Sequence, residues 1–285
     1  MTSVSGGSPI TADGASTMGD RWSHLTTRIL APNPGPMSLD GTNTYVVRAP
    51  GSRGAVVVDP GPDLPEHLDR IHSHGPVELI LLTHHHPDHA ESAATLAART
   101  GVPVRAAEPS LTIGAEPLRD GEVIEAAGTR LVVVATPGHT ADSVCFHLPE
   151  DRPADSDERS GSILTGDTIL GRGTTILAQP VGAVRDYLRS LEMLRDLAGA
   201  RLVLPAHGPR LPSVRVIAEE YLVHRQQRLT QVVAALAELG LEASRDKGVI
   251  ARITDLVYPH VDPGVRFAAE ASVSAQLEYL ADVEP

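Results

Sequence analysis

Cysteine is almost missing from this 285-residue chain, Cys145 being its single example. That excludes an internal disulfide and fits a reducing compartment. Aromatic residues make up 3% of the chain against 41% hydrophobic residues in all, so a core has to be filled by Val, Leu, Ile and Ala. No apolar stretch approaches the length of a membrane span, and residues 1–20 lack the apolar centre of a secretory signal. The expectation is a soluble, cytoplasmic protein with no membrane partner. Positive charge is short too: 24 Lys and Arg face 36 Asp and Glu, a formal balance of −12. This argues against unselective attachment to nucleic acid or anionic lipid, and leaves a local basic patch open.

Residues 1–20, rich in Ser, Gly, Thr and Ala, show almost no periodicity and read as a disordered lead-in. From Arg21 onward, short apolar runs bounded by Gly, Pro, Asp or Asn predict strands over 44–48, 54–58, 78–83, 130–135, 143–148, 162–164 and 201–204. Helical patterns lie between them at 64–74, 87–100 and 184–197. The alternation predicts a layered α/β architecture over residues 21–212, with helices outside the sheets. Asp151 to Gly161 reads as a solvated loop whose charges need no functional account. Residues 213–285 read as a separate all-helical part: one long helix or a broken pair over 214–239 stopped by Gly240, then helices over 249–258 and 265–280.

What is present in strength is metal-ligand chemistry. Thr83-His84-His85-His86-Pro87-Asp88-His89 follows the apolar run that starts at Glu78. On extended chain, side chains two residues apart point the same way, so His84 and His86 converge and His85 points away as a non-ligand. Pro87 suits the first position of a helix, which puts Asp88 and His89 in its first turn. Three later strand ends offer further ligands: His139 in Thr136-Pro137-Gly138-His139-Thr140, Asp167 in Thr165-Gly166-Asp167-Thr168, and His207 in Pro205-Ala206-His207-Gly208. The glycine beside each is expected to let backbone approach an ion without a Cβ in the way. Together the residues predict two ions, one held by His84, His86 and His139, the other by Asp88, His89 and His207, with Asp167 between them. Imidazole and carboxylate ligands suit Zn²⁺ best, with Mn²⁺ or Fe²⁺ as alternatives.

The order H-x-H-x-D-H, then His139, Asp167 and His207, resembles the metallo-β-lactamase fold superfamily, and Asp59 in Val56-Val57-Val58-Asp59-Pro60-Gly61 matches the aspartate that usually precedes that motif. The likeness spans roughly residues 25–210. It implies an αββα sandwich with the metals at one edge, and Asp59 as a group that orients a ligand without binding an ion. Asn33 to Tyr45, Gly166 to Thr175 and Tyr221 to Arg228 are similar to the lactamase-beta-2-like branch. That branch includes a mitochondrial endoribonuclease acting on single-stranded RNA and carries a winged-helix-like C-terminal domain. The chain departs from it in showing no pair of wing strands before Pro285.

The expected activity is therefore dinuclear zinc-dependent hydrolysis by a metal-bound hydroxide, with Asp88 both ligand and proton acceptor. Metal-bound hydroxide attacks phosphodiesters, thioesters, lactones and β-lactams alike, so the substrate has to be chosen by other residues. Class B1 lactamases carry cysteine where Asp167 falls, and flavodiiron proteins carry Glu where His86 falls; neither activity is expected. Tyr221, His224, Arg225 and Arg228 are candidates for gripping a phosphate, or else belong to a helix packed on the sheets with its arginines paired to Glu219 and Glu220. Thr174 and Thr175 either line the mouth or form a turn. Single-stranded RNA is the first expected substrate, and a thioester or other small acyl compound the alternative. A binding protein with a structural metal is the remaining expectation.

Overall fold

The computed structural model describes residues 19–154, 160–177 and 183–283. Most of the expected lead-in (1–18) and residues 155–159 of the acidic loop lie outside them. The Val- and Leu-rich runs form two sheets. The first runs β1 (Asp20–Arg21), β2 (Thr26–Leu30), β3 (Asn43–Val47), β4 (Ala55–Val58), β5 (Val77–Leu81) and β6 (Val104–Arg105) in that order, antiparallel as far as β4 and parallel from there. The second runs β7 (Val123–Ala126), β8 (Thr129–Ala135), β9 (Val144–Leu148), β10 (Ser162–Gly166) and β11 (Leu202–Pro205), with only the β10–β11 pair parallel. Parallel neighbours need a crossover, and a helix supplies each one. These are α1 (Pro65–Ser73) between β4 and β5, α2 (Pro87–Ala90) with α3 (Ala93–Thr100) before β6, and α4 (Ala183–Asp196) before β11.

Burial on both faces explains why the central strands are apolar throughout. Val56, Val58 and Leu81 meet Leu131, Phe146 and Leu204 of the opposite sheet. Their alternates Val57 and Ile80 meet Leu68 and Ile71 of α1 and Leu96 of α3. On the far side, Cys145, Ile163 and Val203 pack against Tyr187 and Leu191 of α4 and against Val214. The layers are thus helix, sheet, sheet, helix, as expected.

Val214–Leu239 is one helix (α5), capped by the Ser213 side chain at its start and closed by Gly240 in the left-handed region. Its first half, with Val214, Ala218 and Tyr221, belongs to the α4 cluster. Its second half packs Val232 and Leu236 against Ile253 of α6 (Lys247–Val257) and Val273 and Leu277 of α7 (Arg266–Val283). Among the described residues past Pro212 there is no strand, so the winged-helix likeness is confined to helices.

Three local expectations change. The helix expected over 87–100 is broken at Glu91–Ser92, where Ser92 N–H bonds the Gly61 carbonyl across the sandwich edge. The strand expected to reach Thr83 ends at Leu81, Thr83 to His85 lie in a bend, and His86 is the extended residue that precedes the next helix. Asp151 is fully buried, not solvated: its carboxylate accepts hydrogen bonds from Ser23, Leu25 and Ser162 and so joins three segments. β1, β2, β6 and β7 were not anticipated, being short or carrying too few apolar residues to form a run.

Candidate metal centre

Strands β4, β5, β8, β10 and β11 all end at one edge of the sandwich, and the segments after them carry Asp59, His84 to His89, His139, Asp167 and His207. Carboxyl ends of strands are where α/β sheets bind ligands, because the chain there leaves the ladder and can turn side chains inward. Two cross-links fix the edge: Val144 N–H donates to the Thr83 carbonyl, and Asn43 Nδ2 donates to the carbonyls of Pro205 and Gly208.

The ligand-type residues gather in the predicted two groups. In one, His86 Nδ1 lies 3.0 Å from His84 Nε2 and 3.1 Å from His139 Nε2, with Asp167 Oδ2 3.5 Å from the latter. In the other, His207 Nε2 lies 3.2 Å from Asp88 Oδ2, and His89 Nε2 lies 3.6 Å from the same oxygen. Asp167 Oδ1 reaches this second group as well, 3.3 Å from His207 and 3.6 Å from His89. One carboxylate therefore faces both groups. A continuous extended chain was expected to produce the convergence; the bend at 83–85 and the one-turn helix α2 produce it instead.

Each buried imidazole is held by its other nitrogen. His89 Nδ1 donates to Asp59 Oδ2 at 2.9 Å, His207 Nδ1 to the Gly41 carbonyl at 3.2 Å, and His139 Nδ1 to the Ile176 carbonyl at 2.9 Å, beside Thr175 Oγ1 at 3.0 Å. Thr83 Oγ1 already donates to Asp59 Oδ2, so it accepts from His84 Nδ1 at 3.1 Å. Four outer partners thus turn four Nε2 lone pairs inward. Burial, followed by the neighbouring imidazoles, pushes His84 well below its usual range and His86 down to about 4. Burial also lowers His89 and His207, but the nearby carboxylates, Asp167 first, outweigh it and raise both. Burial raises Asp167, yet the His207 and His89 charges hold it well below a normal carboxylate.

Whether a cation fits can be judged from what the protein leaves unsatisfied. His89 Nε2, His207 Nε2 and Asp167 Oδ1 are buried without a hydrogen-bond partner, and the carboxylate oxygen lies 3.6 Å and 3.3 Å from the two ring nitrogens. An orphaned buried polar atom costs about 1–3 kcal/mol, so three together match a cradle for a cation.

Other expected residues separate into two classes. His85 stays out of the cluster as expected, its Nδ1 2.6 Å from Asp142. Tyr221 and Arg225 do not form a phosphate grip. Both are buried; Tyr221 Oη accepts from Leu170 N–H and donates to the Gly173 carbonyl, while Arg225 bonds the Thr175 carbonyl and lies over the Tyr187 ring. Arg228 stacks on Tyr258 and bonds Gln231, and His224 is half-buried on the same helix. For Tyr221 and Arg225 the helix-packing alternative is the one realised, although Glu219 pairs with Arg195 and not with these arginines. Thr174 is half-buried in the 170–177 loop, and Thr175 holds His139 instead of lining the mouth. The residues not anticipated are Thr83, Gly41 and Ile176. Two of them act through backbone carbonyls, which carry no signal in the sequence.

The sequence model of the metallo-beta-lactamase superfamily matches residues 37–207. A Caenorhabditis elegans protein described as a beta-lactamase-like protein 2 homolog is 31% identical over 274 residues, which is 92% of this chain and 85% of that one. The lactamase-like protein nscB of Trichophyton rubrum is 34% identical over 78% of this chain, and the chain spans 66% of its length. Among solved structures, a metallo-beta-lactamase family protein from Thermus thermophilus superposes with a TM-score of 0.70 at 26% identity, over 90% of this chain and 93% of that one. With that match covering the whole ligand set, and with the two-sheet fold carrying it, the chain belongs to the metallo-beta-lactamase superfamily.

Proposed function

We propose that the protein is a hydrolase that works with a pair of metal ions, zinc by ligand preference, on a small ester or thioester. The observation that carries this is the set of orphaned buried atoms His89 Nε2, His207 Nε2 and Asp167 Oδ1 at the point where both groups meet. One ion would be held by His84, His86 and His139 and the other by Asp88, His89 and His207, with Asp167 serving both. The chemistry such ions supply when bound is activation of water near neutral pH and positive charge beside a developing oxyanion.

The chain's own groups do the rest. Asp59, Thr83, Gly41, Ile176 and Thr175 hold the imidazoles in one orientation. The Asp88 side chain is 33% exposed where its imidazole partners are buried, so it is the carboxylate that an incoming water and substrate meet. Hydrolysis forms one acyl C–O bond and breaks the acyl bond to oxygen or sulfur, and Asp88 takes the water's proton and passes it to the departing alcohol or thiol.

A small acyl substrate is favoured over RNA by the charge around the centre. Strand binding depends on cationic groups along the backbone path. Arg225 is instead occupied with packing, and the cavity beside His86 and His139 is lined, among the described residues, by no Asp, Glu, Lys or Arg. The test is a metal determination followed by a panel of esters, thioesters, lactones, a chromogenic β-lactam and labelled single-stranded RNA. Asp88→Ala should cut acyl turnover by roughly 100-fold or more and weaken metal binding with an unchanged circular dichroism spectrum. Undiminished acyl hydrolysis in that variant, or cleavage of RNA alone, would sink the assignment.

A further inference from the structure

A cavity of about 410 Å³ opens directly on the metal centre. It is lined by His86 and His139 of the ligand cluster, by Met37 and Ile176, and by Phe267 and Ala271 of α7. Phe267 is 58% exposed and Met37 47% exposed, so two large apolar side chains are left facing water around one opening. Burying such surface is worth about 25 cal/mol per Å², which makes a solvated apolar wall next to a reactive centre a place for an apolar ligand. A charged group placed along the chain, away from the two histidines, would find no Asp, Glu, Lys or Arg there among the described residues. The two histidines also fix where the ligand's reactive end lies, since they belong to the ligand cluster itself.

We infer that the C-terminal helix α7 selects the substrate by holding an apolar acyl chain in this cavity, with the acyl carbon at the metal centre. The inference rests on the hydrolase reading for the chemistry, though chain binding can be measured without turnover. It assigns a function to the last helices, whose Phe267 and Ala271 are far in sequence from every ligand-type residue.

The probe is a series of straight-chain carboxylates, acetate, butyrate, hexanoate and octanoate, titrated calorimetrically into the zinc-loaded protein. Affinity should rise roughly fourfold per CH₂ until the cavity is filled, and the slope should collapse in Ala271→Trp, which fills the cavity from α7. Phe267→Ser, at an exposed position that leaves folding undisturbed, should flatten the slope as a second variant. A flat series in the unaltered protein, or the unaltered protein's slope retained in both variants, overturns the inference. The matching p-nitrophenyl esters separate the two proposals. Chain-dependent binding with no ester cleaved leaves the cavity standing and removes the hydrolase assignment. Cleavage that ignores chain length, with flat binding, does the reverse.

Discussion

At Asp59 the backbone enters the left-handed region, φ +50°, which costs a non-glycine residue on the order of 1 kcal/mol and which aspartate tolerates better than most. The turn sets its carboxylate under the site, where Oδ1 accepts from Thr83 N–H and Oδ2 from Thr83 Oγ1 and His89 Nδ1. Asparagine there would present an N–H₂ to two donors, so His89 would flip its proton to Nε2 and lose the inward lone pair. Asp59→Asn should therefore weaken zinc binding roughly 10- to 100-fold while the fold persists. A competition titration with a chromophoric chelator reads this directly, and wild-type affinity would show that Asp59 does not set the tautomer. The residue itself stood out in the sequence. What it holds did not, because the partner lies thirty positions away and only folding brings the two together.

Among the elements, the turns after the strands do the positioning, and their glycines serve packing more than clearance for an ion. Gly138 has φ +143°, and a Cβ there would run into the Tyr187 backbone and Cβ of α4. Gly166, at φ +50°, would bring a Cβ within 2.7 Å of Thr83 Oγ1. The expectation that these glycines open space for a metal is thus replaced by one of chain-to-chain contact. Gly138→Ala should destabilise the protein by more than about 2 kcal/mol in urea unfolding, through strain and overlap together. A change below about 0.5 kcal/mol would mean that α4 shifts freely. The Ser213 cap was found only in the structure, but the extent of α5 and its Gly240 stop were legible, whether as one helix or two, because both are local signals. Four short strands and the break at Glu91–Ser92 were not, because each depends on a partner strand or a carbonyl supplied from elsewhere.

For the molecule as a whole, ligand-type residues from both sheets meet at one edge, so a bound metal pair would tie the two layers together and favour the folded state alone. Stabilisation by a ligand at 1,000 times its dissociation constant is about 4 kcal/mol. Chelation should therefore lower Tm by on the order of 10 °C for a chain of this size, and zinc should restore it. His84→Ala with His86→Ala should shrink the shift. An identical Tm with and without chelator would show that no metal is held tightly there.

By itself the sequence determined the strand-and-helix alternation, the candidate ligand residues and their division between two groups, because these rest on local periodicity and on residue types with few other uses at such spacing. Tertiary structure decided the rest. It turned Tyr221 and Arg225 from phosphate ligands into supports for the loop that carries Thr175, and it buried Asp151 under three segments. It also brought Phe267 to the same cavity as His86 and His139. Polar side chains acquire their roles from whichever donors and acceptors folding leaves beside them, and a sequence pattern records their presence but not those neighbours.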